Sequence, residues 1–343
     1  MQKTIPIEEF LELAERYPVV DVRSPAEFEH GRFPGAVNIP LFSNEERAIV
    51  GTTYTQESPE KAFSTGLQIA GPKMASFVEK ARATARDNTL LMYCWRGGKR
   101  SHSMAWLFDT AGMDVYVLEG GYRAFRRHVK ASFLKPLPLT VLGGMTGSGK
   151  TEILHALKKR GEQVIDLERL ARHKGSVFGA LGEEKQPATE QFENNLFMVW
   201  KQLDPRKTTW IEDESKAIGR VFIPDELFNQ MKTAPLVDIH LDRNYRIQRL
   251  VRDYAQYDAG ELISSVQKIE RRLGGVNARK CITAIQNRDF AAAAGLLLRY
   301  YDKTYRHAMA SHPRKTVYTI SLPGNDPETN AQIILSEIKE MEI

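Results

Sequence analysis

The stretch LTVLGGMTGSGKT, residues 139–151, constrains the fold more tightly than any other. Its first six residues are an apolar run of strand composition, and GMTGSGKT, from Gly144 to Thr151, fits G-x-x-x-x-G-K-[ST] in full. Amide N–H groups converge on an anion in this way only where a strand passes through a glycine turn directly into a helix, so the motif predicts a strand, a loop and a helix in a parallel α/β sheet. The backbone of Gly144, Gly147, Ser148 and Gly149 should cradle a di- or triphosphate. Lys150 should reach its outer oxygens, and Thr151 could hold Mg²⁺. WIEDES (210–215) ends another strand with carboxylates; Asp213 is read as the metal-side acid and Glu212 as its alternative, although acids after a strand are also ordinary turn residues. Spacing does not separate the tail of ATP or GTP from a pyrophosphate leaving group.

A chain of 343 residues exceeds the usual size of one domain, so two are expected. Before the phosphate loop, VVDV (19–22), LLMY (90–93) and VYVLEG (115–120) read as strands, and SMAWLFDTAG (103–112) as a helix closed by Gly112. The prolines of KPLPL (135–139) break this series and mark a linker, which gives domains 1–134 and 135–343. In the second domain QVIDL (163–167), TTWIED (208–213), LVDIHLD (236–242) and TVYTISL (316–322) supply further strands. Between about 243 and 312 helix formers replace them, which reads as a helical insertion. The charge is concentrated there: residues 243–315 hold fifteen Lys and Arg against six Asp and Glu, although the whole chain carries only +5. Two cysteines build no disulfide framework and no Cys/His set has zinc spacing, so the one metal admitted is Mg²⁺ through Thr151 and Asp213. No apolar stretch approaches membrane-spanning length and the first residues lack a secretory pattern, so a reduced, cytoplasmic protein is expected.

The second informative stretch is YCWRGGKRS (93–101). A strand ending at Tyr93, a turn through Gly97 and Gly98 and a helix beginning near Ser101 would aim successive N–H groups at the loop centre. That field, with Arg96 and Arg100 close by, favours Cys94 as a thiolate nucleophile; the plainer reading is a structural cysteine buried after a strand. Together with DVRSPAEFEHGRFPGAVNIPL (21–41) and EGGYRAF (119–125), the loop resembles a rhodanese-like domain, whose cysteine carries sulfur or selenium. Five residues separate Cys94 from Arg100, where many sulfurtransferases have four. The wider loop suits a tetrahedral, phosphate-like group, and rhodanese-fold phosphatases use the same spacing.

A rhodanese-like domain followed by a P-loop NTPase-like α/β domain with a helical insertion resembles the tRNA 2-selenouridine synthase family. The likeness extends through EERAIVGTTY (45–54), DLERLARHKGSVFG (166–179), IEDESKAIG (211–219), RRLGG (271–275) and YYDKTYRH (300–307). It implies exchange of sulfur for selenium on wobble 2-thiouridine of tRNA, with selenophosphate as donor and geranyl diphosphate as co-substrate for an S-geranylated intermediate. A selenophosphate-producing enzyme would be a partner. Cys94 would then be essential for selenation, with Arg96, Gly97, Gly98, Lys99, Arg100 and Ser101 binding the anion. Thr55 stands where the family often has a lysine. Arg243, Arg246, Arg271, Arg272 and Arg306, with Tyr300 and Tyr301, would grip tRNA; the alternative is a solvated surface with tyrosines partly in the core. Competing readings are a plain sulfurtransferase or a Cys-dependent phosphatase with a regulatory nucleotide domain, and a nucleotide-dependent RNA-binding protein.

Overall fold

The computed structural model describes residues 2–311, 314 and 316–340, and the chain divides into two compact units. The first comprises the residues up to Ser132 together with Glu193–Met198; the second comprises Phe133–Phe192 and the chain from Val199 onward. Residues 133–138 carry no regular element, as the prolines require.

The first unit is built on a five-stranded sheet in the order Gln2–Ile5, Asp114–Leu118, Thr89–Tyr93, Val19–Asp21, Val37–Asn38. Every pairing in it is parallel. Thr89–Tyr93 lies at the centre and is buried along its whole length, which is why it reads as an uninterrupted apolar run. Its core joins Leu90, Met92 and Val115 to Met104 and Phe108 of the helix Lys99–Thr110. That helix stops where Gly112 takes φ +89° and Met113 N–H reaches back to Phe108 C=O at 3.0 Å. The outer strands Gln2–Ile5 and Val37–Asn38 lack a clear apolar pattern and are settled by pairing with their neighbours.

The second unit carries a parallel sheet in the order Val317–Leu322, Leu236–Leu241, Leu139–Gly144, Thr209–Glu212, Gln163–Ile165. The strand feeding the phosphate loop sits in the middle, so the loop opens at the carboxyl edge of the sheet. Five helices, Arg243–Tyr254, Ala259–Lys268, Glu270–Leu273, Gly275–Gln286 and Phe290–Ser311, fill the expected insertion. They have their own apolar cluster, with Leu262, Val266, Ala278 and Ile285 at its centre. A short antiparallel pair, Ala217–Ile218 with Val221–Phe222, follows the third strand and was not expected.

Candidate active site

Cys94 leaves the central strand of the first unit and is only 3% exposed. Its Sγ accepts the Gly98 N–H at 3.4 Å and lies 3.2 Å from Ser101 Oγ, at the N-terminal end of the helix Lys99–Thr110. Ser101 Oγ also lies 3.1 Å from Gly98 C=O, so its single proton serves either the sulfur or that carbonyl. The loop is clamped from behind by the EGGY turn. Tyr122 N–H donates to Cys94 C=O at 2.8 Å and Arg123 N–H to Trp95 C=O at 3.0 Å. Two glycines make that approach feasible. A Cβ on Gly121 (φ +60°) would stand 2.3 Å from Cys94 O and 2.4 Å from Gly97 N, and one on Gly97 (φ +61°) would stand 2.8 Å from Leu118 O.

Beneath the loop lie Asp21 and Arg23, at the end of the strand Val19–Asp21. The Arg23 guanidinium is 1% exposed and donates to both oxygens of Asp21 and, at 2.6 Å, to Gly31 C=O. Its Cζ sits 3.9 Å from the centre of the buried Tyr122 ring and 5.9 Å from that of Trp95. This pair supports the nucleophile loop mechanically, since each charge is buried only because the other neutralises it. Of the cations expected around Cys94, Arg96 and Lys99 are exposed. Arg100 instead holds Glu27 in a two-point pair at 2.8 and 3.3 Å, which lowers the Glu27 carboxyl against the effect of its burial.

In the second unit the phosphate loop joins Leu139–Gly144 to the helix Lys150–Lys159. Gly147 and Gly149 adopt φ +79° and +84°, a region that residues with a Cβ rarely occupy. Lys150 Nζ donates to Gly144 C=O at 2.9 Å across the loop, and Ser148 Oγ is buried without a protein partner, as a ligand-facing hydroxyl would be. Thr151 Oγ1 donates to Glu168 Oε2 at 2.8 Å, which brings in a carboxylate that the sequence reading did not single out. Asp213 pairs with Arg314, whereas Glu212 is fully buried and accepts the Leu167 and Glu168 N–H groups.

These acids are perturbed together. Burial raises Glu168, against the pull of Lys150 and Thr151. Burial and then Glu168 push Glu214 up to about 8, against Lys150. Burial, Asp166, Glu168 and Glu214 hold Glu212 well above the usual carboxylate range. Gly175 (φ +66°) lets a loop lie against two of them, since a Cβ there would be 2.7 Å from Glu214 Oε1 and 3.2 Å from Glu168 Oε1. Among the described residues no group of three or more His, Cys, Asp and Glu side chains is arranged to hold a metal by itself. Thr151 and the Glu168 carboxylate beside it are the residues that would hold a hard cation next to a bound phosphate. An apolar cavity adjoins the loop at Thr146 and is walled by Phe178, Leu250, Tyr254, Leu262 and Phe290.

The basic helices divide into two populations. Arg246, expected to face tRNA, is 4% exposed; it donates to Thr146 C=O at 2.8 Å and pairs with Asp302. Arg246 and its neighbour one turn on, Arg249, lie on the helix face turned toward the phosphate loop, where Arg249 pairs with Glu152. Arg243 donates to Gly295 C=O at 2.6 Å. Tyr300 and Tyr301 pack edge to face at 5.1 Å against the helical core, and burial raises Tyr301 to about 12. Arg271, Arg272 and Arg306 are exposed. Cys281 is a core residue whose thiol burial raises to about 11.

Comparison with known proteins finds two family models along the chain. Residues 7–128 match the model of the rhodanese-like domain, and residues 137–322 match that of the tRNA 2-selenouridine synthase AAA domain. The tRNA 2-selenouridine synthase of Proteus mirabilis (strain HI4320) is 33% identical over 341 residues, covering 90% of this chain and 93% of that one. That of Bordetella bronchiseptica is 34% identical, covering 88% and 91%. That of Shewanella denitrificans is 32% identical, covering 92% and 95%.

Proposed function

Because the chain belongs to the tRNA 2-selenouridine synthase family, we propose that it exchanges sulfur for selenium on wobble 2-thiouridine of tRNA, with selenophosphate as donor and an S-geranyl intermediate drawn from geranyl diphosphate. The observation that carries this reading is the setting of Cys94: a lone thiol at a helix N-terminus, touched by Gly98 N–H and Ser101 Oγ, in a loop whose exposed side chains include Arg96 and Lys99. A tetrahedral selenium-bearing anion would be held there by the loop amides of Gly97 and Gly98 and by those two cations. Arg100 would join them only on leaving its Glu27 pair.

Geranyl transfer asks for a diphosphate cradle beside an apolar recess. What supports it is the phosphate loop, from Gly144 to Thr151, with the apolar cavity lined by its Thr146. Alkylation of the thiocarbonyl sulfur makes it a better leaving group for the selenium step. Lys150 would neutralise the departing pyrophosphate, together with any Mg²⁺ shared by Thr151 and Asp213 or Glu168. Arg271, Arg272 and Arg306 are among the exposed cations of the helical insertion and would meet an RNA backbone, so binding weakens as salt rises.

The test is mass spectrometry of wobble nucleosides after incubation with 2-thiouridine tRNA, selenophosphate and geranyl diphosphate. Wild type yields 2-selenouridine and Cys94→Ala does not. Equal yields would refute the role of Cys94.

A further inference from the structure

We propose that Trp95 is the platform on which the wobble base stacks while its C2 edge is presented to Cys94, with Phe63, Leu67 and Lys99 completing the rim. The inference rests on the reading of Cys94 given above. A thiol that is 3% exposed cannot meet a base still folded into an RNA loop, so the base must turn out and enter edge-on. An extruded base loses its stacking partners, and proteins that handle unpaired bases replace them with aromatic faces.

Trp95 is placed for this role. It follows Cys94 directly, and as the chain leaves the strand the cysteine turns inward while the indole remains 38% exposed. The indole's inner side is fixed by two buried groups, the Arg23 guanidinium at 5.9 Å and the Tyr122 ring at 5.8 Å. Its backbone carbonyl is held by Arg123 N–H. A large ring fixed from below and open above loses little rotamer freedom when a second ring lands on it. Lys99, four residues on from Trp95, links the loop to a second exposed apolar group. Phe63 is 50% exposed on the helix Pro59–Ala70, and Leu67, one turn further on the same face, is 58% exposed. Lys99 Nζ stands 5.4 Å from the Phe63 ring centre, which puts a cation on the same rim, and Arg96 adds a second beside Trp95. Exposed rings interleaved with cations match a nucleobase flanked by phosphates, not an uncharged protein surface.

The test measures affinity of the full chain for an anticodon stem–loop carrying 2-thiouridine, beside the same RNA made abasic at that position. Trp95→Ala should weaken binding of the intact RNA about ten-fold and Trp95→Phe about two- to three-fold, and neither should change binding of the abasic RNA. Trp106→Ala, 58% exposed on the helix Lys99–Thr110, serves as control and should bind both RNAs like wild type. Equal losses on both RNAs, or no loss on either, would overturn the platform. If wild type failed to bind the thiolated RNA, the functional reading would fall as well. Cys94→Ala that still made 2-selenouridine would remove that reading while leaving the affinity series interpretable.

Discussion

Replacing Arg246 separates what the basic helices do for the fold from what they do for RNA. The guanidinium is 5% exposed and makes two contacts whose loss is not made good by water: one with Asp302, itself 13% exposed, and one with Thr146 C=O in the phosphate loop. Arg246→Met keeps the aliphatic stem but leaves a carboxylate and a carbonyl in the interior without a donor. Removing one partner of such a pair costs about 3–5 kcal/mol, so the second unit should unfold at distinctly lower urea. The double variant Arg246→Met, Asp302→Leu should recover at least half of that loss, because the stranded charge is gone. Arg271→Ala with Arg272→Ala should leave stability within about 0.5 kcal/mol, since both side chains are exposed. Urea unfolding followed by far-ultraviolet circular dichroism, with salt-dependent tRNA affinity measured in parallel, reads both effects. An Arg246→Met protein of wild-type stability whose only defect was tRNA affinity would refute the reasoning and return Arg246 to the RNA surface.

Two further outcomes are expected. Gly121→Ala forces a Cβ to 2.3 Å from Cys94 O at φ +60°, so it should cost about 1–2 kcal/mol for the dihedral alone and displace the nucleophile loop; a protein with native circular dichroism and undiminished 2-selenouridine formation would contradict this. Glu214, raised to about 8 chiefly by burial and then by Glu168, takes up a proton on folding. Its contribution is therefore present below its unfolded pKa of about 4.5 and is lost as pH rises through about 8. Because the side chain is partly exposed, that loss should be about 1–2 kcal/mol between pH 5 and pH 8.5, and Glu214→Gln should flatten it; an unchanged slope in urea midpoint against pH counts against the assignment.

Sequence by itself determined the elements whose function is local. The strand, glycine turn and helix around Lys150 follow from residues adjacent in the chain, because glycine takes the φ near +80° of this turn without the cost a Cβ would add. The same holds for the Cys94 loop and for the central strand Thr89–Tyr93, whose apolar run is nearly unbroken because both faces are covered. The edge strands Gln2–Ile5 and Val37–Asn38 were not legible, since the partner supplies what the pattern lacks. The tertiary structure alone decided where each charge is used. Identical spacing in RNYRIQRLVR puts Arg246 and Arg249 against the phosphate loop and leaves Arg252 more exposed; Arg246 meets Asp302, while Arg249 and Arg252 share Glu152, partners that lie far off in sequence. Glu168 meets Thr151 and Arg100 meets Glu27 for the same reason: an ion pair or hydrogen bond depends on distance in space, and the chain sets that distance only after its sheets have closed.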